Sequence, residues 1–262
     1  MCYDAEAATL LALKYAQHRG DIHAAEALRA MLEEIILTRG PSYHVSGFQH
    51  PELIAFTNEQ PYTPVTLTWG LIPAWTKSLA DAKKIRTQTL NAKGETIFER
   101  PSFRNPARNK RCLIYLDAFY EHHHANKQTY PFRIVMKDGN PMAVAGLWDE
   151  WIDKETGEIF RTATIVTTKG NALMSQIHNN PNADMGPRMP VILPKERQDE
   201  WLMECKTEAD KAHLQSLMQP LEDGLLKAYP VGRLRGKTAM GNVPEAEREA
   251  KYEGLVLDTG WY

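Results

Sequence analysis

An α+β fold is predicted, with a mainly antiparallel β core, helices flanking it, and a helical stretch at the N-terminus. Three observations carry this expectation. Short β-rich runs recur through the middle of the chain: VTLTW (65–69), CLIYL (112–116), PFRIVM (131–136), MAVAGLW (142–148), TATIVTT (162–168) and MPVIL (189–193). Helical periodicity is confined to two stretches, 4–38 and 195–218. No linker or low-complexity tract separates two compositional halves, so one domain is expected across residues 1–262.

In the first helical stretch Ile22, Ala25, Met31, Leu32 and Ile35 fall near helical spacing. Gly20-Asp21 divides it into two helices and Gly40-Pro41 closes it, which places an insertion at 4–40. The β-rich runs hold β-branched and aromatic residues and are separated by turn signals such as Lys137-Asp138-Gly139-Asn140. Between 195 and 218, Trp201, Leu202, Leu214 and Leu217 are the expected buried positions. The tail from about 232 is polar and Gly-containing, and reads as loosely held.

A chain of 262 residues can bury a substantial core without disulfides or metals. Its 43% hydrophobic and 24% charged content is that of an ordinary globular protein. No apolar run approaches the ~18 residues of a membrane span, so no membrane partner is expected. The start, MCYDAEAATLLALKYAQ, has early acids and no basic n-region, unlike a secretory signal. Cys2, Cys112 and Cys205 form an odd set with no close spacing, which points to a reducing, cytoplasmic setting. The net charge of −2 conceals a basic block: Lys77, Lys83, Lys84, Arg86, Lys93, Arg100, Arg104, Arg108, Lys110 and Arg111 face only Asp81, Glu95 and Glu99. Such a block suits a polyanion-binding face or a solvated loop, and alone it favours neither.

Several residues carry chemistry. Removal of Met1 would leave Cys2 with an α-amine and a thiol on adjacent carbons. That pair suits an aldehyde: the amine forms a Schiff base and the thiol closes a five-membered thiazolidine. An incidental second residue is the competing reading. Asn91, in TLNAKGET, is either a structural turn residue or one that orients a nucleophile. Glu121, in DAFYEHHH, sits among aromatics that raise a carboxyl toward acid/base use, or else is an exposed strand end. His122, His123 and His124 alternate in direction on a strand and do not converge on one ion, so no metal is expected. His178 is a candidate proton shuttle and Arg188 a candidate phosphate clamp. Trp69 and Trp75, just before the basic block, suit base stacking or core packing; Trp148 and Trp151 read as core.

The order of these segments adds what none carries alone. Met-Cys, TWGLIPAW, LNAKGET, RCLIYLDAFYEH, YPFRIVM, AVAGLWDEW, IVTT, IH…RMPVIL and YPV resemble the SOS response-associated peptidase (SRAP) family of abasic-site processing proteins, over residues 42–231 plus Cys2. The resemblance implies an α+β fold whose curved β-sheets form a barrel-like core, with an N-terminal helical insertion in this chain and a positively charged groove for single-stranded DNA. It also implies a covalent thiazolidine crosslink between the N-terminal cysteine and the opened sugar of an abasic site, with autopeptidase and lyase activities. On this pattern Cys2 is the nucleophile, Asn91 positions it, Glu121 is the acid/base carboxylate, and His178 assists ring opening. Arg188 matches a DNA-contacting arginine, and Trp69, Gly70 and Pro73 match the loop beside the groove. Lys93, Arg104 and Arg111 are expected to neutralise phosphates with Arg188.

The expected partner is single-stranded DNA containing abasic sites, with replication proteins as further candidates. The expected state is a monomer without cofactor. The chain departs from the pattern in having Tyr3-Asp4 where Gly-Arg is frequent, the 4–40 insertion, Lys93 for an arginine, His122 for a tryptophan, and residues 179–187 between His178 and Arg188. Two alternatives remain: a cysteine peptidase using Cys2, His178 and Asn91 on its own N-terminus or other peptides, and a non-catalytic single-stranded DNA binder.

Overall fold

Each β-rich run forms a strand, and in the computed structural model the strands join in one eleven-stranded sheet. The structure describes residues 2–7, 42–180 and 186–255, with further helical positions at Glu26, Arg29, Ala30, Glu33, Glu34 and Leu37. In chain order the strands are β1 (Asp4–Ala7), β2 (Val45–Ser46), β3 (Glu52–Thr57), β4 (Val65–Trp69), β5 (Asn91–Lys93), β6 (Arg111–Ala125), β7 (Gln128–Met136), β8 (Met142–Ile152), β9 (Ile159–Lys169), β10 (Arg188–Pro190) and β11 (Leu226–Pro230).

Five of them close into a barrel. β4 pairs with β3, β3 with β6, β6 with β8 and β8 with β9, all antiparallel; β9 returns to β4 in parallel. Closure leaves these strands without a free edge. Strand alternation divides their side chains into two cores. Leu53, Ala55, Leu67, Trp69, Cys112, Ile114, Val144 and Ile165 fall in one cluster. Ile54, Phe56, Leu113, Tyr115, Ala145, Leu147 and Val166 fall in the other, where Trp201, Leu202, Leu214 and Leu217 cover them. Those four come from the helices Gln198–Leu202 and Glu208–Leu217, the second started by a capping box between Thr207 and Asp210.

Gly146 shows how tight the first core is. A β-carbon there would lie 2.8 Å from both Cys112 Sγ and Ile114 Cδ1. Gly146→Ala is expected to cost about 1–3 kcal/mol through overpacking. In urea this reads as a lower midpoint at unchanged slope.

β6 belongs to two surroundings. Arg111–Leu116 pair with β8, whereas Phe119–Ala125 pair with β7. The handover coincides with an irregularity in the β1 pairing, where Glu6 faces Ala118 but Ala7 faces Leu116, so Asp117 is the extra residue. A bulge of this kind bends a strand and re-aims the side chains beyond it. Those beyond it are Tyr120, Glu121 and the three histidines. The β6–β7 hairpin then turns through Asn126 and Lys127, both at positive φ (51° and 59°). That is the backbone of a two-residue type I′ turn, which matches strand twist.

The structure changes three expectations. Residues 4–7 are a strand: Asp4–Ala7 pairs with β6 and β2. Apolar spacing alone missed it because β1 is held by contacts distant in sequence, including a two-pronged ion pair from Arg133 to Glu6 at 2.8 and 2.9 Å. The helical positions described within the insertion lie between Glu26 and Leu37, and most of the stretch is outside the described residues. The tail is packed through Leu255 by a few anchors. Leu234 and Ala246 are buried, the Asn242 side chain accepts from the Tyr43 and His44 amides, and the Tyr252 hydroxyl donates to Val231 O at 2.6 Å. A polar composition hides such anchors.

Candidate active site

The hairpin of β6 and β7, β1, and the segment after β11 surround a cavity of about 440 Å³. Tyr3, Asp4, Glu121, His122, His124, His178, Arg233 and Arg235 are among its lining residues. Cys2 lies directly before two of them. In the intact chain it is 1% exposed, so the expected exposed position is buried while residue 1 precedes it. Its thiol donates to Asp4 O at 3.6 Å. Burial, reinforced by the negative charge of Glu121, pushes the Cys2 thiol well above the usual range.

Asn91 begins β5, which runs parallel to β9. Its Nδ2 donates to Cys2 O at 2.7 Å. Its Oδ1 is buried with no hydrogen-bond partner among the described residues. Glu121 is buried (6% exposed) and lies opposite Phe132 on β7. Its Oε1 is 3.9 Å from His178 Nδ1. His178 terminates the short helix Ala172–Ile177, which Asn171 caps by accepting from the Met174 amide. The Arg188 amide lies 3.3 Å from His178 Nδ1. Glu121 and His178 thus line the cavity, while Cys2, buried and held by Asn91, directly precedes the lining residues Tyr3 and Asp4.

The expected DNA-contacting residues fare unevenly. Arg188 is buried, and its guanidinium grips Glu95 at 2.8 and 3.1 Å and Thr167 O at 2.9 Å. It reaches phosphate only if it leaves Glu95. Arg111 is 0% exposed and donates to the carbonyls of Trp201, Ala107, Arg108 and Met203. It therefore ties helices to the barrel, and the expectation that it neutralises a phosphate is corrected. Trp69 is also 0% exposed and donates to Leu90 O, so it is a core residue and not a stacking platform.

The exposed aromatic of that segment is Trp75, at 57%. It lines a shallow groove with Lys77, Lys84, Ile85 and Gln88. Gly70 has φ 116°, and a β-carbon there would come within 2.7 Å of Arg86 O, so glycine is required. Pro73 is buried and its carbonyl accepts from Thr76. Lys93 is half-buried and Arg104 exposed. His122 and His124 face the cavity, whereas His123 turns away to Gln176 O and Phe132, the alternation a strand imposes. Trp148 and Trp151 are core.

Sequence reasoning missed Asp4, His44, Arg233 and Arg235. Asp4 accepts from His44 Nε2 at 3.1 Å and from Arg235. Burial pushes its carboxyl up, but these two partners outweigh burial and hold it below the usual range. The charge reversal at residue 4, two positions after Cys2, was the one available signal.

The family model for the SOS response associated peptidase (SRAP) matches residues 13–238. The chain belongs to the SRAP family. Among its relatives, the abasic site processing protein YoqW of Bacillus subtilis (strain 168) is 40% identical over 196 residues, covering 74% of this chain and 80% of YoqW. The abasic site processing protein HMCES of Pongo abelii is 28% identical, covering 60% of this chain and 49% of HMCES. A crystal structure of a protein from Bacteroides thetaiotaomicron superposes with a TM-score of 0.79 at 32% identity, over 95% of this chain and 100% of that one. A Bordetella bronchiseptica protein, at 23% identity and TM-score 0.65, shares the fold. Among the described residues no helix is long and apolar enough to cross a membrane, and no cluster of potential metal ligands is present.

Proposed function

We propose that this chain processes abasic sites in single-stranded DNA, and that it does so by bonding covalently through Cys2 once Met1 has been removed. The observation that carries the proposal is the placing of the Asn91-held Cys2 directly before Tyr3 and Asp4, which with Glu121 and His178 line a cavity of about 440 Å³, within the range of about 300–1,000 Å³ typical of small-molecule sites. The names of YoqW and HMCES as abasic site processing proteins support the substrate.

The chemistry follows from the groups present. The freed α-amine of Cys2 adds to C1′ of the ring-opened deoxyribose. A proton passes from nitrogen to oxygen, and loss of one water gives the Schiff base. The Cys2 sulfur then adds to C1′, its proton passes to the nitrogen, and the thiazolidine closes. The net change is one water released. Asn91 fits as the positioning residue: Nδ2 already holds Cys2 O, and the buried Oδ1 is an acceptor for the new amine. A buried thiol with a raised pKa needs a base at neutral pH, and Glu121 with His178 supplies the nearby proton relay. Strand cleavage would start from the Schiff base on the freed α-amine, whereas self-cleavage before Cys2 would use its thiol, because the nitrogen is then part of the Met1–Cys2 peptide bond.

The test is incubation of the protein with a single-stranded oligonucleotide carrying one abasic site. A denaturation-resistant adduct, absent with an undamaged oligonucleotide, is expected. No adduct on protein shown to lack Met1 would refute the proposal.

A further inference from the structure

The segment that follows β11 brings two cations to the cavity. Arg233, Leu234 and Arg235 all line the cavity, Leu234 buried at 5% exposure and the arginines on either side of it exposed. Arg235 donates one amino group to Asp4 and keeps its side chain 52% exposed. A guanidinium has five N–H donors, so one carboxylate leaves most of its fork available. Arg233 is exposed and enters no ion pair among the described residues.

The other charges at the cavity are accounted for. Asp4 is held by His44 and Arg235, and Glu121 faces His178. His122 is driven down to about 4 by burial and by the positive charge of Arg235, so it is neutral at physiological pH. With Arg235 paired to Asp4, the cation without an ion pair among the described residues is Arg233, and the remaining donors of Arg235 lie beside it; two neighbouring forks are the arrangement suited to a phosphodiester.

We propose that Arg233 and Arg235 clamp one phosphodiester of the DNA strand, next to the abasic nucleotide whose sugar occupies the cavity. The inference rests on the abasic-site reading above and deepens it. Asp4 is the positioning residue of the clamp: it fixes Arg235 against β1 immediately beyond Cys2. Recognition of an abasic site must rely on backbone because no base is present. A clamp here would seat C1′ without any base contact.

The test is equilibrium binding of the full chain to a single-stranded oligonucleotide with one tetrahydrofuran abasic analogue, measured across a salt series. The analogue has no aldehyde, so the result does not depend on Cys2 chemistry. Each lost phosphate contact on a single strand lowers the slope of log K against log salt by about 0.7. Arg233→Gln is expected to lose that amount, and Arg233→Gln with Arg235→Gln about twice it, with affinity at low salt falling about tenfold or more. Asp4→Asn, which releases Arg235 from its anchor but keeps both cations and leaves Arg233 in place, is expected to lose no more of the slope than Arg233→Gln does.

An unchanged slope in the double variant would overturn the clamp, and so would an Asp4→Asn slope as low as the double variant's, since the effect would then be structural. Wild type that crosslinks abasic DNA while the double variant binds normally would sink the clamp alone. Wild type that neither binds the analogue nor crosslinks would remove the abasic-site reading together with it.

Discussion

Cys2→Ala is expected to abolish the denaturation-resistant adduct with abasic single-stranded DNA, a loss of about 10²-fold or more because the sulfur that closes the stable thiazolidine is removed. Alanine keeps the α-amine, so the variant can still form a Schiff base. That species hydrolyses on denaturation and becomes stable only after borohydride reduction. The difference between the two assays isolates the sulfur: the unreduced adduct disappears while a reducible one persists. Binding to a tetrahydrofuran analogue should change little, since Asn91 reaches the backbone carbonyl of residue 2 and not its side chain. An undiminished, unreduced adduct in Cys2→Ala would place the reaction on another residue.

Glu121→Gln is expected to slow adduct formation by about 10²–10⁴-fold, the usual contribution of a positioned acid/base group. The substitution keeps shape and removes charge, and two opposite effects are then separable. The charge of Glu121 raises the Cys2 thiol pKa, second only to burial. Its removal therefore lowers that pKa and increases the thiolate at neutral pH. Were thiolate supply limiting, Glu121→Gln would accelerate the reaction and move the rising limb of the pH–rate profile to lower pH. Were proton transfer through Glu121 and His178 limiting, the rate would fall at every pH. The buried position of the pair, 3.9 Å apart at the cavity wall, favours the second outcome. A rate within about twofold of wild type would remove Glu121 from the reaction.

The barrel was legible because several of its strands are long and rich in β-branched and aromatic residues, as in TATIVTT and MAVAGLW. The short strands were not. β5 has three residues, Asn91–Lys93, and exists because β9 lies alongside it. β1 reads as the start of a helix, yet is held by β6 and by the Glu6–Arg133 pair across more than a hundred residues of sequence. Such contacts leave no local periodicity.

The same limit explains the site. The chemistry of Cys2, Asn91, Glu121 and His178 was visible as residue types in order, and the fold gathers them. The direction each side chain takes was not visible. Trp69 and Arg111 read as groove residues from composition, but each lies on the wrong side of its strand and spends its donors on buried carbonyls. Arg233 and Arg235 went unread because a polar tail gives no sign that Leu234 and Ala246 anchor it.

Intact-mass analysis of the adduct, followed by peptide mapping, tests the covalent chemistry most directly. The expected mass is that of the chain without Met1 plus the abasic oligonucleotide less one water, with the modification on the peptide that begins at Cys2. An adduct that retains Met1, or one that maps to a lysine, would contradict it.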